Sequence, residues 1–309
     1  MTTATEPGDS TDDDHDVVIV GGGPAGSSAG VFTARYGLDT IIFDRGRSSL
    51  RHCAYLENYL GFPGGIDIET LYSLIHEHAE RAGCDLASAL VESVAPGDDN
   101  DGFIVETQEG RRVNARHVVA ATRYDGEYLR PLDDGEMFTA YERDGAEREQ
   151  VDRAYPDADG RTPVDGLYVA SPSEEADHQA IMAAGRGARV GLTVVADVRR
   201  NRGYPATVAV HYDWTRREAE LDDEWHSRER WREWFDDRLP EDHNLDEERR
   251  DTLREAEIDR RLDEYLAAEE IDHRVERGQK RLLSHIDDDL ILDAAHDIET
   301  ERESTEVTD

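Results

Sequence analysis

The sequence is short of basic residues, and of lysine in particular. Its 309 residues include 35 Lys and Arg against 72 Asp and Glu, the formal net charge is -37, and Lys280 is the only lysine. Because so acidic a surface repels phosphate groups, the composition argues against binding to nucleic acid or to anionic membranes. The same composition is typical of a folded protein from a high-salt cytoplasm, where ions screen the repulsion between carboxylates.

Cysteine and long apolar runs are also scarce. The two cysteines, Cys53 and Cys84, form neither a C-x-x-C motif nor the spacing of a metal site, so no metal site is predicted. No apolar run approaches the roughly 18 residues that a membrane helix needs, and residues 1–16 lack the basic and apolar regions of a secretion signal. We therefore expect a soluble, cytoplasmic protein without a structural disulfide.

The most informative stretch runs from Asp16 to Asp44. A continuous apolar run at Val17–Val20 predicts a strand buried on both faces. A glycine-rich turn at Gly21–Gly26 follows, then a helix rich in small residues, and then a second apolar strand at Thr40–Phe43 that ends on an acid. This order of strand, glycine turn, helix, strand and acid predicts a βαβ unit that binds a dinucleotide.

Each residue of this motif has an expected role. Gly21 permits the tight turn, Gly23 lets the backbone approach a pyrophosphate, and Gly26 lets the helix pack closely on the strand. The pyrophosphate would lie at the helix N-terminus, where free N–H groups and the helix dipole favour an anion. The carboxylate of Asp44 would accept hydrogen bonds from ribose hydroxyls.

The remaining pattern predicts an α/β fold. Its expected elements are the helices Glu69–Ala82 and Asp177–Asp197 and the strands Val91–Val94, Phe103–Thr107, Arg111–Val113, His117–Thr122, Gly166–Ala170 and Val208–Tyr212.

The domain organisation follows from changes in composition. Residues 15–212 are predicted to form a Rossmann-like dinucleotide-binding domain with a parallel sheet and a smaller β layer. Within it, Asp133–Pro163 is polar and unpatterned, and is interpreted as a connector. Residues 213–298 are predicted to form an acidic, helical C-terminal extension that packs on the main domain or on a second subunit, as in a homodimer. Residues 1–14 and 299–309 are predicted to be disordered tails.

Four motifs in these segments resemble the flavoprotein part of the thioredoxin reductase family. They are VVIVGGGPAG at Val17–Gly26, ENYLGFPGGI at Glu57–Ile66, VVAAT at Val118–Thr122 and GLYVASPSEEADHQAIMAAGRGA at Gly166–Ala188. The resemblance implies an FAD-binding fold over about Asp16 to Ala196. It also implies that the loop Glu57–Pro63 runs beside the flavin and that residues 178–180 touch the isoalloxazine ring. The FAD-binding residues expected from the pattern and the resemblance together are Gly21, Gly23, Pro24, Ala25, Gly26, Asp44, Arg45, Asn58, Thr122, His178, Gln179 and Ala180.

The chain also departs from the family pattern. Thioredoxin reductases carry an inserted NADPH domain with its own glycine fingerprint and a C-x-x-C pair, whereas Asp133–Pro163 is too short for such a domain and has neither motif. Arg123 stands where the family has a glycine, and Ser171-Pro172 replaces a Gly-Asp pair whose aspartate accepts from the ribityl chain of the flavin. Proline offers neither an N–H nor a side-chain acceptor there.

The expected function is that of a FAD-dependent oxidoreductase of thioredoxin reductase-like fold, without its own NADPH domain or redox cysteine pair. Electrons would come from a partner, such as a small redox protein, or from NAD(P)H bound transiently at the flavin. Cys53, in the loop expected to approach the flavin, is the candidate redox residue; the alternative is an unreactive, partly buried thiol.

Two other functions stay open at this stage. The chain is alternatively a degenerate, non-catalytic dinucleotide sensor or assembly module, which the departures from the family pattern favour. A third hypothesis is a flavin hydroxylase or dehydrogenase whose C-terminal helices cap the substrate site, although no strands of a substrate domain are evident.

Overall fold

A computed structural model describes residues 13–97, 101–123, 125–143, 145–173, 178–241 and 243–306. The chain divides into two compact units, one ending at Asp213 and one beginning at Trp214. The boundary expected from composition, between residues 212 and 213, differs from this division by one residue. No helix in the described parts of the chain is both long enough and apolar enough to cross a membrane.

The first unit is an α/β fold. Its strands are β1 (Asp13–Val20), β2 (Thr40–Phe43), β3 (Tyr55–Leu56), β4 (Ile66–Asp67), β5 (Cys84–Ala87), β6 (Val91–Pro96), β7 (Phe103–Thr107), β8 (Arg112–Ala121), β9 (Phe138–Arg143), β10 (Ala146–Val151) and β11 (Leu167–Ser171). Its helices are α1 (Pro24–Arg35), α2 (Ile68–Ala82), α3 (Ala180–Asn201) and α4 (Ala206–Ala209), with 3-10 turns at Ser49–His52 and Glu127–Leu132.

Seven of these strands form one mixed sheet. Its order is β5-β2-β1-β8-β7-β6, and β11 pairs with β8 as well. Strands β5, β2, β1, β8 and β11 run parallel, whereas β6, β7 and the first half of β8 form an antiparallel meander. Strand β8 thus connects the parallel part of the sheet to its antiparallel part, because its first half pairs with β7 and its second half with β11. The predicted parallel sheet with a smaller β layer is confirmed.

The two faces of β1 explain its continuous apolar sequence. Val17 and Ile19 pack into one core cluster together with α1 and α3. Val18 and Val20 point to the opposite face and pack into a second cluster with the meander. Since successive side chains of a strand alternate between faces, a strand covered on both sides must be apolar throughout.

Several predicted boundaries were wrong. Strand β1 begins at Asp13, so the predicted tail 1–14 overlaps it by two residues, and residues 1–12 lie outside the described part. Arg111–Val113 and His117–Thr122 were predicted as separate strands, but β8 is continuous because its polar middle pairs with β1. Val208–Tyr212 is not a strand: a helical turn, α4, follows Pro205, whose fixed φ suits a helix start.

The stretch Asp133–Pro163 is not an unpatterned connector. It contains β9 and β10, which pair as an antiparallel hairpin. The hairpin is anchored by the buried side chains of Met137 and Val151, while most of β10 is exposed. A signal was present in the sequence, because an Asp-Gly dipeptide between two runs of residues is a typical sequence pattern of a hairpin.

The second unit is mainly helical. It contains α5 (Arg228–Asp236), α6 (Glu247–Leu262), α7 (Ala268–Leu283) and α8 (Asp288–Glu306), with short strands β12 (Arg216–Arg217) and β13 (Tyr265–Leu266). Its small core contains Trp231, Phe235, Leu253 and Ile258. The predicted tail from residue 299 was wrong up to Glu306, because α8 continues to that residue; residues 307–309 are outside the described part.

Candidate functional site

A cavity of about 430 Å³ lies at the carboxyl ends of the parallel strands. The last residues of β1, β2, β8 and β11 all contribute to its wall. This is the edge of an open α/β sheet at which ligands bind. Of the thirteen residues predicted from sequence as cofactor-binding or catalytic, the cavity is lined by Gly21, Gly23, Pro24, Ala25, Asp44, Arg45, Cys53, Thr122, His178, Gln179 and Ala180.

The glycines of the turn have different structural roles. Gly21 has φ 111°, and a methyl group there would lie 2.7 Å from the Ala121 carbonyl oxygen. A methyl group at Gly26 would overlap the carbonyl oxygen of Gly21, which is the close helix-strand packing expected. Gly23 is different: its φ is -77°, and the nearest atom to an added methyl, the Tyr72 hydroxyl oxygen, would be 3.7 Å away. The protein itself therefore leaves space at Gly23.

Helix α1 presents its N-terminus to the cavity. It begins at Pro24, and its N-cap residue Gly23 provides no side chain to cap the first N–H groups. The carbonyl oxygen of Gly22 accepts hydrogen bonds from the Ser27 hydroxyl (3.1 Å) and from His76 Nε2 (2.8 Å). Since a trans peptide unit is planar, the N–H of Gly23 must point away from these two donors. The backbone N–H groups at the start of α1 are thus suited to donate hydrogen bonds to an anion.

Asp44 follows the end of β2 and is held in place by its neighbours. Its Oδ1 accepts from the Gly46 N–H at 3.0 Å, and its Oδ2 lies 3.6 Å from His76 Nε2. A methyl group at Gly22 would lie 2.6 Å from the Asp44 Cβ, so the turn and the acid are in direct contact. A carboxylate has about four acceptor positions, and those left over can accept from ribose hydroxyls.

His76 was not among the residues predicted from the sequence to lie at the site. This residue lies on α2, more than fifty positions after the glycine turn, and it contacts both Gly22 and Asp44. Because its Nε2 must donate to the Gly22 carbonyl, the proton of the neutral ring is on Nε2. The helical periodicity gave part of the signal for a buried contact of His76. This residue follows Tyr72 by one helical turn, on the side of α2 that is buried.

Two predicted residues that are distant in sequence meet beside the cavity, although only Gln179 lines it. The Asn58 amide donates to the Gln179 side-chain oxygen at 2.9 Å. This bond ties the loop after β3 to the start of α3. The helix predicted over Asp177–Asp197 included His178, but α3 begins at Ala180 with Gln179 as its N-cap. His178 is exposed and lines the cavity from the segment before the helix.

The segment after β8 forms another wall. The Thr122 hydroxyl donates to the Asp125 carbonyl oxygen and lies 3.2 Å from the Tyr128 hydroxyl. Arg45 donates to the Asp125 carboxylate at 2.6 Å. Arg123 has φ 62°, a left-handed conformation that explains the family's glycine at this position.

The second departure from the family pattern also lies at this edge. Ser171 ends β11 and lines both the cavity and a small neighbouring pocket, whereas Pro172 lines only the small pocket. Pro172, which stands where the family has an aspartate, is therefore near the cavity wall, but its side chain cannot accept a hydrogen bond.

The two cysteines are in different environments. Cys53 is exposed and lines the cavity, beside His52. The expectation that Cys53 is partly buried was therefore wrong, whereas its role as a redox residue or an unreactive thiol stays a prediction. Cys84 is buried in β5 against α1, and burial raises the pKa of its thiol to about 12. Only Cys53 is available to a reactant in the cavity.

We expect the two thiols to differ sharply in reactivity. In the native protein a thiol reagent should modify Cys53 alone, because Cys84 is both buried and protonated at neutral pH. In denaturant both should react. Titration of thiols before and after unfolding measures this, with Cys53→Ser as the control that should show no fast-reacting thiol. Two equally fast native thiols would contradict the burial of Cys84.

Comparisons with known proteins agree with this geometry. Residues 15–122 match the family model described as pyridine nucleotide-disulphide oxidoreductase. The thioredoxin reductase of Aquifex aeolicus is 31% identical over 110 residues, which are 35% of this chain and 33% of that protein. The bifunctional thioredoxin reductase/thioredoxin of Mycobacterium leprae is 35% identical over 118 residues, which are 37% of this chain and 25% of that protein. The matched part thus spans a third or less of these relatives.

A solved structure gives the fold. The thioredoxin reductase from Gloeobacter violaceus superposes with a TM-score of 0.51 and 19% identity, over 66% of this chain and 100% of that chain. The first unit has the FAD-binding fold of thioredoxin reductases. The predicted Rossmann-like FAD-binding fold is confirmed.

Proposed function

We propose that this chain is a FAD-dependent oxidoreductase that receives electrons from a separate donor. The observation that carries the proposal is one cavity in which three features of a dinucleotide site converge: the open Gly23, the uncapped start of α1 and the Asp44 carboxylate. The FAD pyrophosphate would lie at the helix start, and Asp44 would hold the adenosine ribose. Bound FAD supplies two-electron redox chemistry.

The other end of the cavity is proposed to hold the flavin ring. The family resemblance implies that the loop with Asn58 and the start of α3 with Gln179 and Ala180 lie beside the isoalloxazine, and the hydrogen bond between Asn58 and Gln179 supports this proposal. Cys53 is exposed on the same cavity. We propose that this thiol faces the substrate or the donor, and that it acts singly, because Cys84 is buried in the sheet.

The electron donor is proposed to be a partner, such as a small redox protein, or NAD(P)H bound transiently. The hairpin β9–β10 occupies the stretch where thioredoxin reductases have an NADPH domain. A βαβ nucleotide unit takes about 30 or more residues with a helix, and the described part of residues 133–163 contains no helix. These observations support a protein that does not reduce thioredoxin by itself.

We expect NADPH alone to reduce bound flavin slowly or not at all. The protein loaded with FAD is mixed anaerobically with excess NADPH in a stopped-flow instrument, and bleaching of the flavin is followed. Dithionite, which needs no binding site, serves as the control and should bleach the flavin fully. Fast bleaching by NADPH, with turnover of added thioredoxin, would show that this chain contains a complete reductase.

One observation favours a second candidate, a non-catalytic dinucleotide sensor or assembly module. The Arg123 guanidinium reaches across the cavity to the Ser49 hydroxyl at 3.4 Å. A side chain of this size takes space that a glycine would leave to the flavin. The absorbance spectrum separates the candidates: retained flavin supports the oxidoreductase, and a colourless protein that binds ADP-ribose supports the sensor.

A further inference from the structure

Tyr72 is a buried residue of α2 whose hydroxyl group lies beside the glycine turn. The residue is 3% exposed, and its ring packs with apolar side chains of β3, β4 and α2. Its hydroxyl oxygen is buried too, and it has no hydrogen-bond partner in the described part of the chain. Such a group costs free energy, because folding removes water from it without supplying another partner. A bound molecule that supplied the missing partner would offset this cost.

The Tyr72 hydroxyl faces the space that Gly23 leaves open. A methyl group added to Gly23 would lie 3.7 Å from the Tyr72 hydroxyl oxygen and 3.9 Å from the Ser48 hydroxyl oxygen. Ser48 lines the cavity, as Gly23 does, and its hydroxyl accepts from the Leu50 N–H at 3.2 Å. The hydroxyl of Tyr72 therefore borders the same space as the start of α1.

The position of the Tyr72 ring is fixed by its neighbours. The Arg51 guanidinium lies over the ring, 4.3 Å from its centroid, and the His76 ring packs at a steep angle with the two centroids 5.4 Å apart. His76 also contacts the Gly22 carbonyl, so α2 holds the turn and the tyrosine together. These contacts involve the ring of Tyr72 and not its hydroxyl. A phenylalanine could therefore take the same position.

The Tyr72 hydroxyl is a hydrogen-bond donor at neutral pH. Burial raises the pKa of Tyr72, and the nearby Ser48 hydroxyl lowers it to a smaller extent, although the two hydroxyl groups do not form a hydrogen bond. The phenol consequently keeps its proton. A donor of this kind suits an anionic acceptor, because hydrogen bonds to ionised acceptors are stronger than those between neutral groups.

We propose that the Tyr72 hydroxyl donates a hydrogen bond to the pyrophosphate of the dinucleotide bound at the glycine turn. This inference rests on the proposed function, and it adds a side chain of α2 to the site formed by the glycine turn and Asp44. Binding of the ligand satisfies a hydroxyl that is unpartnered among the described residues. The hydroxyl therefore favours binding at the expense of the stability of the free protein.

Tyr72→Phe tests the inference, because it removes the hydroxyl alone. The affinity for FAD, measured by fluorescence titration, should fall at least about tenfold, since the hydrogen bond to a charged acceptor is lost. The urea midpoint of the ligand-free protein should stay equal or rise, because the variant no longer buries an unpartnered polar group. A tyrosine with a purely structural role would show the reverse: a lower midpoint and an unchanged affinity.

Tyr168→Phe is the matched control. Tyr168 is also 3% exposed, but its hydroxyl donates to Asp197 at 3.1 Å, and the residue does not line the cavity. This variant should lower the urea midpoint and leave the affinity for FAD unchanged.

Titration with ADP-ribose separates this inference from the proposed function. ADP-ribose carries the pyrophosphate without the flavin, so Tyr72→Phe should weaken its binding by about the same factor as that of FAD. A wild type that binds ADP-ribose but not FAD would refute the FAD-dependent function, while a tenfold loss of ADP-ribose affinity in Tyr72→Phe would still support the inference. Unchanged affinity for both ligands in Tyr72→Phe, or a lower urea midpoint of the ligand-free variant, would overturn the inference. A wild type that binds neither ligand would overturn both.

Discussion

Replacement of Gly23 by alanine is expected to abolish retention of FAD while leaving the fold intact. The backbone at Gly23 has φ -77°, which alanine adopts readily, and the nearest protein atom would be 3.7 Å from the new methyl group. The protein thus accommodates the methyl group, and any loss of binding arises from the space meant for the pyrophosphate. We expect at least about a 100-fold weaker affinity, equivalent to about 2.8 kcal/mol.

Fluorescence titration with FAD measures this affinity, and thermal unfolding without FAD checks the fold. The matched control is Gly278→Ala, also a glycine with open surroundings, on the exposed helix α7. It should leave FAD affinity unchanged. Unaltered FAD affinity in Gly23→Ala would refute the position of the pyrophosphate at the glycine turn.

The second large effect concerns stability. A methyl group at Gly187, on α3, would overlap the carbonyl oxygen of Ala25 and lie 2.7 Å from its carbonyl carbon. Helices α1 and α3 therefore touch backbone to backbone at this position. Gly187→Ala must force them apart, and we expect it to lower the free energy of unfolding by about 3 kcal/mol. It should also lower FAD affinity, because Ala25 lies in the first turn of α1, at the wall of the cavity.

Gly185 provides the control within the same helix. It is exposed, and nothing lies within 4 Å of an added methyl group. Gly185→Ala should raise the free energy of unfolding by up to about 1 kcal/mol, since alanine has the higher helix propensity. Urea unfolding curves measure both variants. If Gly187→Ala were as stable as Gly185→Ala, the close contact between α1 and α3 would be wrong.

The local pattern made the first βαβ unit predictable. The apolar strand, the glycine turn and the acid at Asp44 lie within 30 residues, and each can be predicted from the residues next to it in the sequence. His76 could not be derived in this way. Its contacts with Gly22 and Asp44 depend on how α2 packs against the turn, and nothing in the spacing of the sequence fixes that packing.

The errors in the fold have the same origin. The hairpin β9–β10 is polar because it is largely exposed, so the periodicity that indicates a buried strand is weak. Strand β8 was divided in two because its middle is polar, yet pairing with β1 keeps it extended. In the second unit, charged residues dominate the helices, and which apolar residues are covered depends on tertiary packing. Leu282 and Leu290, for example, are exposed.

The absorbance spectrum of the purified protein gives the most direct test of FAD binding in the cavity. The protein is incubated with excess FAD, desalted, and compared with Gly23→Ala treated in the same way. We expect flavin bands with about one FAD per chain for the wild type and none for the variant. A wild-type protein that is colourless after this treatment, although folded by circular dichroism, would contradict the assignment of the cavity to FAD.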